Sequence, residues 1–367
     1  MKTSKIKSLK PFYSLQFLSV LLLLFTIYSC NKKTGNFTIK TTLEFNEGTK
    51  SSDISQTISI LTKRLLKYGI EEKNFNFRTT NNKVFLIIDE ADDTLRLLNL
   101  LTPKGKLEFW ETYELKDMYS YFIDADKKVA ELLKDKKIKD FLESDSLNNK
   151  NENIDTSTLV GKVKAQDNKN IDVYKENPLF TYLGLNIVKN SSGQQEYGRG
   201  ANVAYCLVSD TPKVNKIFKL PEIQTIFPKS LKLLWGVKPF NDDETVVNLY
   251  AIKITTREKE APLDGSDIKE AKGEVRNGSC EVFMSMNSEG AKIWKRLTRE
   301  NVDKAIAIVI DDKVYSAPFV MSEIAGGKSQ ISGNFTKEEA QDLANVIQSG
   351  KYSCNFVLKD IQFTIKK

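Results

Sequence analysis

The sequence predicts an α+β fold in which a ferredoxin-like base is followed by a second kind of α+β unit. Residues 37–114 follow the order strand, helix, strand, strand, helix, strand, which is the split βαβ order of ferredoxin-like domains. Residues 284–350 follow another order: strand, helix, tight hairpin, strand and a capped helix. No repeat of solenoid period is evident. We therefore expect two kinds of α+β unit rather than a repeat array.

Residues 1–29 have the features of a secretory signal. Four lysines precede an apolar stretch at about residues 17–27, which is short for a membrane span. The stretch ends in IYSC, which resembles a lipobox, in which the cysteine is lipidated and becomes the new N-terminus. We expect cleavage before Cys30, a lipid anchor on Cys30 and a short tether over residues 30–36. The alternatives are an ordinary signal peptide with a chance cysteine and an uncleaved anchor.

The positive charge of the chain comes largely from this signal. The formal net charge of +7 falls to +3 once the four lysines of residues 1–29 are removed. A basic patch is the usual electrostatic feature of nucleic-acid binding. The mature chain therefore gives little reason to expect a nucleic-acid partner.

The base is predicted over residues 37–114. NFTIKTTLEF is its first strand, Asp53 is expected to cap the first helix, and Gly69 is expected to end it. FNFRTT and KVFLIID flank a hairpin turn at Asn81-Asn82. A short helix at Thr94–Leu101 follows, and KLEFWETY is expected to close the unit. The apolar face of the first helix is formed by Ile54, Ile58, Leu61 and Leu65.

Residues 115–176 are predicted as an insertion that contains a charged helix, at roughly 125–142, and a mobile loop. The loop is expected because SDSLNNKNENIDTS has few apolar residues and many Asn, Asp and Ser. Residues 177–256 are predicted as a second α+β segment of the base region. In that segment a helix near 214–226 lies between the strand NVAYCLV and the paired strands LKLLWGV and VVNLYAIKIT.

The last large block, residues 257–354, carries the clearest local signals. Thr336 stands three residues before Glu339, which predicts a capping box at a helix start, and Gly350 is expected to end that helix. AIAIVI and KVYSAPFV flank Asp311-Asp312 as two strands joined by a two-residue turn. Residues 355–367 alternate in polarity and are read as a C-terminal strand. The apolar face of the capped helix is formed by Ala340, Leu343, Ala344 and Ile347.

These motifs resemble the first periplasmic domain of SecD and SecDF, the protein translocase subunits. The resemblance rests on SMNSEGAKIW, AIVIDDKVYSAP and ISGNFTKEEAQDLAN, with weaker similarity back to KRLLKYGI. It implies that residues 257–354 form the head of that domain. Asp312 departs from the family pattern, which has glycine after the first Asp of the hairpin. In the family, membrane helices with Asp and Arg residues couple proton flow to work. No such segment follows residue 350 here, so we do not expect this chain to be a proton-driven motor.

The residue content argues against an enzyme. The chain has no histidine, which excludes Ser-His-Asp and Cys-His catalysis and His-based metal sites. Gly327-Lys328-Ser329 lacks the upstream glycine of a phosphate loop, because Ser322 stands there. The run Asp89, Glu90, Asp92 and Asp93 lies before a helix and is expected to cap it rather than to bind a cation. Nothing selects a carboxylate pair for glycoside hydrolysis. We expect no catalytic residue, no metal and no cofactor.

Aromatic and cysteine residues receive structural interpretations. Trp110, Trp235 and Trp294 are expected in the core, although an aromatic peptide groove remains an alternative. Cys206 and Cys280 lie in predicted strands as small buried residues. One disulfide among Cys206, Cys280 and Cys354 is compatible with an oxidising compartment, and the sequence does not select a pair.

The leading functional hypothesis is a lipid-anchored, non-enzymatic protein of the cell envelope that faces the periplasm and binds unfolded or translocating polypeptide. Exposed sheet edges in such domains can capture extended chains by strand addition, which needs mainly backbone groups. A rival hypothesis is a docking module for the Sec machinery or another envelope complex, without substrate binding. A third is an enzyme of unrecognised chemistry, which the absence of histidine disfavours. The polypeptide-binding residues are not identified by the sequence, and the anchoring membrane, inner or outer, stays open.

Overall fold

The computed structural model describes residues 37–136, 138, 140, 177–240, 244–276 and 278–365. Among these residues the chain forms two compact units. Unit 1 comprises the described parts of 1–107, 265–287 and 328–367, and unit 2 comprises those of 108–264 and 288–327. Both units contain helices and sheets, so the predicted α+β class is confirmed. The predicted domain boundaries are a separate matter and remain predictions.

The described helices are α1 (Ser51–Tyr68), α2 (Thr94–Leu101), α3 (Leu115–Leu132), α4 (Thr211–Phe218), α5 (Pro221–Gln224), α6 (Ser288–Glu300) and α7 (Lys337–Ser349). The described strands are β1 (Phe37–Phe45), β2 (Phe75–Thr80), β3 (Lys83–Ala91), β4 (Leu107–Thr112), β5 (Leu183–Leu185), β6 (Ile187–Lys189), β7 (Gln195–Tyr197), β8 (Asn202–Leu207), β9 (Leu231–Trp235), β10 (Val246–Lys253), β11 (Leu263–Asp264), β12 (Ile268–Arg276), β13 (Ser279–Met286), β14 (Ile306–Ile310), β15 (Lys313–Ser316), β16 (Lys328–Phe335) and β17 (Phe356–Ile365).

The main sheet of unit 1 has the strand order β17-β1-β3-β2, and all neighbouring strands are antiparallel. This is the strand order of a ferredoxin-like sheet, but the strand that completes it is β17 and not KLEFWETY, as the sequence had suggested. KLEFWETY forms β4, which pairs in the eight-stranded sheet with β10, β11 and β14. Nearly every residue of β4 is buried, which suits a central strand covered on both faces better than a closing edge strand.

Helix α1 begins without a side-chain cap and ends at a glycine. Its first residue is Ser51, and Lys50 precedes it without a side-chain cap, so the prediction that Asp53 caps this helix is wrong. Asp53 lies within the first turn, where its negative charge still favours the helix N-terminus. Gly69 ends the helix as predicted: its φ is 109°, and its N–H donates to the carbonyls of Leu65 and Leu66.

Arg64 is a buried basic residue on the core side of α1. Its guanidinium donates hydrogen bonds to the carbonyl oxygens of Leu100, Pro103, Lys104 and Gly350 and to the hydroxyl of Tyr352. It also lies over the ring of Tyr352, 4.1 Å from the ring centroid. These contacts join α1 to the turn after α2 and to the segment between α7 and β17.

A second sheet of unit 1, in the order β12-β13-β16, packs against α7. The predicted capping box is present: Thr336 accepts from the Glu339 N–H at 3.1 Å, and Glu339 accepts from the Thr336 N–H at 2.8 Å. Gly350 ends the helix as predicted. On β12, a Cβ placed on Gly273 would lie 2.6 Å from the backbone of Ala340, so glycine permits this close approach.

Unit 2 is built on an eight-stranded sheet with the path β15-β14-β4-β10-β8-β5; β9 pairs with β10 and β11 pairs with β4. The pairing of LKLLWGV with VVNLYAIKIT is therefore confirmed. Helix α3 begins at Leu115, ten residues before the predicted start, because Glu114 and Asp117 form a capping box there. Its buried face belongs to the core of unit 2, so this part of the predicted insertion is a core helix. The predicted mobile loop lies outside the described residues.

The hairpin between β14 and β15 turns at Asp311-Asp312, as predicted. Asp311 and Asp312 have φ angles of 50° and 61°, which are the positive values that a two-residue type I′ turn requires. Lys232 on β9 contacts Asp312 with a 2.6 Å ion pair. Asp312 therefore occupies the position where the family has glycine, and the turn is retained.

Candidate functional site

A cleft of about 350 Å³ opens on unit 2 beside α4, α5 and β9. Six of its ten lining residues are apolar, and the other four are lysine or amide residues. We call it the aromatic cleft, because two phenylalanine rings contribute to its wall. Its lining residues are Asn215, Phe218, Lys219, Gln224, Phe227, Pro228, Lys229, Leu231, Leu233 and Leu249.

The local sequence explains how the two rings come together. Phe218 is the last residue of α4, and Pro221 starts α5, so the predicted single helix over 214–226 is divided in two. Phe227 follows α5, and its ring lies 5.8 Å from that of Phe218 in an edge-to-face arrangement. Phe122 on α3 is fully buried, and its ring centroid lies 6.4 Å from that of Phe218 and 5.5 Å from that of Phe227. The wall of the cleft is therefore held by the core beneath it.

The rim of the aromatic cleft is polar and carries positive charge. Lys219, Gln224 and Lys229 are exposed, whereas Asn215 accepts a 2.9 Å hydrogen bond from the indole N–H of Trp235. An apolar wall beside exposed ammonium groups suits a peptide segment in which an apolar side chain lies near a carboxylate. The residues of the cleft supply contact surface and charge, and they include no nucleophile paired with a base.

A second surface of unit 2 exposes apolar side chains. Phe319 and Val302 are about two fifths exposed, and Met321 is 83% exposed. The Arg199 guanidinium lies 5.3 Å from the centroid of the Phe319 ring. We call Val302, Phe319 and Met321 the apolar patch. Val302 forms a backbone bridge with Val320, the residue between Phe319 and Met321, so the three lie close together in the fold. Exposed apolar groups that lie together mark interaction surfaces.

A charged cleft of about 340 Å³ includes Val302 and Arg199 in its lining, along with Glu114 and Lys116. Burial alone would raise the pKa of Glu114, but hydrogen bonds from the Lys116 ammonium, at 2.5 Å, and from the Gly200 N–H outweigh burial and hold that pKa below its ordinary value. Glu114 is therefore an ionised, internally paired group rather than a proton donor.

The four acidic residues Asp89, Glu90, Asp92 and Asp93 accept hydrogen bonds from different partners. Asp93 caps α2 by accepting from the Arg96 N–H at 2.9 Å, which confirms the capping interpretation for that residue. Asp92 accepts from the Asp93 N–H and from the Tyr68 hydroxyl. Asp89 accepts from Thr38, and Glu90 accepts from Asn74. Within the described part of the chain, no group of three or more Cys, Asp or Glu side chains is arranged to hold a metal ion.

The other residues considered from the sequence are accounted for individually. Trp110, Trp235 and Trp294 are all buried, so the core interpretation is confirmed. Cys206 is buried in β8 as expected, whereas Cys280 on β13 is only half-buried, so the prediction of a buried residue is wrong there. Cys280 and Cys354 are not joined in a disulfide. Gly327 lies in the turn before β16. Cys30, the signal segment and the tether lie outside the described residues, so lipidation remains a prediction.

Sequence reasoning missed the aromatic cleft and Arg64. The sequence FPKS after a short amphipathic helix could have indicated a turn at Phe227, but nothing in it indicates that Phe218 and Phe122 lie nearby. In the described residues no helix is both long and apolar enough to cross a membrane.

Comparison with known proteins identifies the relatives. Residues 247–353 match the family model of the SecDF P1 head subdomain. SecD of Rhodothermus marinus is 30% identical over 305 residues, covering 81% of this chain and 44% of that protein. Residues 247–353 thus form a subdomain of the SecDF P1 head type, and the chain as a whole is similar to SecD. SecD of Calditerrivibrio nitroreducens is 36% identical over 157 residues, covering 42% of this chain and 29% of that protein. The chain thus spans less than half the length of these SecD relatives, and the resemblance inferred from the sequence is confirmed.

Two solved structures are similar over most of the chain. One is SecDF in a super-membrane-facing form, with a TM-score of 0.47 and 18% identity, covering 95% of this chain and 34% of that one. The other is from a study of SecDF as a membrane component that enhances protein export, with a TM-score of 0.44 and 16% identity, covering 89% of this chain and 99% of that one.

Proposed function

We propose that this protein is a lipid-anchored, SecD-like periplasmic domain that passively binds or guides unfolded or translocating polypeptide in protein export. The SecD relatives are translocase subunits, which supports a role in protein translocation. The observation that carries the binding proposal is the aromatic cleft, whose Phe218–Phe227 wall is apolar, partly exposed and supported by the core.

The cleft proposal is tested by filling the cleft rather than by removing its wall, because Phe218 and Phe227 contact the buried core. Gln224→Trp adds a large side chain at an exposed position of the lining. We expect this variant to weaken binding of a reduced, alkylated model polypeptide by about tenfold, the loss of one good apolar contact in a binding site. The measurement is fluorescence anisotropy of the labelled polypeptide, carried out on the mature chain.

The matched control is Gln194→Trp, which places the same side chain at another exposed glutamine of unit 2. Equal binding by both variants and the unmodified protein would contradict the assignment of the cleft. Lys219→Glu with Lys229→Glu reverses the charge of the rim. We expect this variant to weaken the binding of acidic polypeptides more than that of neutral ones, because only acidic polypeptides are attracted by the ammonium groups.

The lipid anchor is a separate part of the proposal. Cleavage before Cys30 and acylation there would tether the mature chain, and two or more acyl chains hold a protein on a bilayer far more firmly than one. We expect Cys30→Ser to abolish labelling with palmitate and to move the protein from the membrane fraction to the soluble fraction. If the variant is processed normally and still sediments with membranes, Cys30 is not the anchor.

A docking module for the Sec machinery or another envelope complex is the second candidate. The exposed Phe319 and Met321 side chains favour it, because a folded partner would cover them. Phe319→Ser with Met321→Ser is expected to reduce crosslinking to Sec components while leaving binding of the model polypeptide unchanged. The opposite pattern would assign the apolar patch to polypeptide binding.

In both forms the function is binding without turnover. Binding by the isolated mature chain should persist in the presence of a chelator, without added nucleotide and without a proton gradient. Loss of binding on chelation, or a turnover reaction above background, would contradict the non-enzymatic proposal.

A further inference from the structure

One face of the main sheet of unit 1 points away from its core. Along β3, Val84, Leu86 and Ile88 are buried against the helices, whereas Phe85 and Ile87 point to the other side and are 42% and 38% exposed. Alternation along a strand places these two sets on opposite faces. We call the side that carries Phe85 and Ile87 the open face.

Basic side chains surround these two apolar residues. The strand register places Phe85 between Thr42 of β1 and Arg78 of β2, and Thr42 is followed across the sheet by Lys359 of β17. Ile87 lies between Lys40 of β1 and Asn76 of β2. Residues paired in register share a face of the sheet, so Arg78, Lys359 and Lys40 lie on the open face with Phe85 and Ile87.

The acidic groups of the open face are already engaged. Glu44 lies opposite Lys83 and forms ion pairs with Lys83, at 3.3 Å, and with Lys359. Asp89, at the border of the face, accepts a 2.6 Å hydrogen bond from Thr38. Lys40 and Arg78 are both exposed. The open face therefore presents an apolar centre with an excess of positive charge around it.

The position of β1 in the chain limits how far the open face can lie from the membrane. If Cys30 carries the lipid, as proposed above, six residues separate the anchor from Phe37, the first residue of β1. Even fully extended, this tether spans only about 25 Å, at roughly 3.5 Å per residue. The strand that carries Lys40 is then confined close to the bilayer surface.

We propose that the open face docks on an anionic lipid surface. Phe85 and Ile87 enter the headgroup region, and Lys40 and Arg78 lie at the level of the lipid phosphates. Apolar side chains flanked by basic ones are the combination by which peripheral proteins bind such interfaces. The inference rests on the proposed anchor for the proximity of the membrane, but the affinity of the face itself does not depend on the lipid.

The test uses the complete mature chain with Cys30→Ser, so that the acyl chains make no contribution. Co-sedimentation is measured with vesicles of phosphatidylcholine and with vesicles that also contain phosphatidylglycerol. We expect binding to the anionic vesicles only, and weakening as salt is raised. Lys40→Gln with Arg78→Gln should lower the partition coefficient about 25-fold, at about fivefold for each basic residue. The matched control is Lys269→Gln with Lys272→Gln on β12, which should have little effect.

Insertion of the face is measured with Phe85→Trp, whose fluorescence should be quenched by brominated phosphatidylglycerol. Val275→Trp, at an exposed position of β12, is the control and should not be quenched. Equal binding to neutral and anionic vesicles, equal quenching of the two tryptophans, or binding of a model polypeptide but not of vesicles would each overturn the proposal. Failure of the anchor would instead appear in palmitate labelling of the unmodified protein, so the two failures are distinguishable.

Discussion

Arg64→Met tests what holds unit 1 together. The Arg64 side chain is fully buried, and its guanidinium makes five hydrogen bonds to groups in the turn after α2 and in the segment after α7. Methionine keeps most of the stem volume but removes every donor. Hydrogen bonds from a charged group are each worth about 1.5–3 kcal/mol, but water can solvate part of the freed carbonyls. We expect the free energy of unfolding to fall by about 4 kcal/mol, which is less than the sum for five such bonds.

The assay is urea unfolding followed by circular dichroism. Trp110, Trp235 and Trp294 all lie in unit 2, so tryptophan fluorescence would follow the wrong unit. A loss of about 4 kcal/mol corresponds to a fall of about 2 M in the urea midpoint, for a slope of about 2 kcal/mol per molar. Arg64→Lys should lose about 2 kcal/mol, because an ammonium keeps the charge but cannot contact both segments as a planar guanidinium does.

The control for this prediction is Lys63→Met, an exposed neighbour on α1 that should change stability by less than about 0.5 kcal/mol. If Arg64→Met is no less stable than Lys63→Met, then the hydrogen bonds of Arg64 add nothing beyond what solvent supplies, and the reasoning is refuted.

Three further changes have expected outcomes. Gly273→Ala should lower the free energy of unfolding, measured by thermal melts, by about 1–3 kcal/mol, because its Cβ would lie 2.6 Å from the backbone of α7. The control Gly326→Ala, whose Cβ would meet nothing within 4 Å, should leave stability unchanged. Asp312→Gly should change stability by less than about 0.5 kcal/mol, because relief of the positive φ offsets loss of the ion pair with Lys232; a loss above about 1 kcal/mol would contradict this. Burial raises the pKa of Asp126, so its ionisation opposes folding, and stability should fall as pH rises through that raised pKa. Asp126→Asn, whose amide oxygen can still accept from Leu179 and Phe180, should lack this dependence in urea titrations at several pH values.

Local signals in the sequence located the elements well. The capping box of α7, the bounds of α2 and the turn at Asp311-Asp312 each depend on residues within four positions of one another. For such features the chain's own chemistry is sufficient, because a cap or a turn satisfies its hydrogen bonds locally. The start of α3 was missed although its capping box is local, because the predicted boundary between base and insertion fell between Glu114 and Asp117, and the helix was placed from about residue 125.

Long-range pairing was not predictable in the same way. KLEFWETY and FVLKDIQFTI both have the composition of a strand, and the order of elements favoured the first as the partner of β1. Burial decides otherwise, since β4 is covered on both faces and β17 is partly exposed. The aromatic cleft was not predicted from the sequence for a related reason. Phe122, Phe218 and Phe227 come from three separate segments, and the periodicity of apolar residues describes only one segment at a time.

The pairing of β1 with β17 has a consequence for how the chain reaches its final state. Thr41 donates to the carbonyl oxygen of Lys359, a contact that spans 318 residues. During synthesis β1, β2 and β3 appear early, yet one edge of their sheet stays bare until β17 has been made, after all of unit 2. Contacts of such sequence separation form slowly, and an uncovered strand edge invites pairing with other chains. A protein proposed to hold other polypeptides in the envelope thus begins as a chain with the same exposed edge to protect.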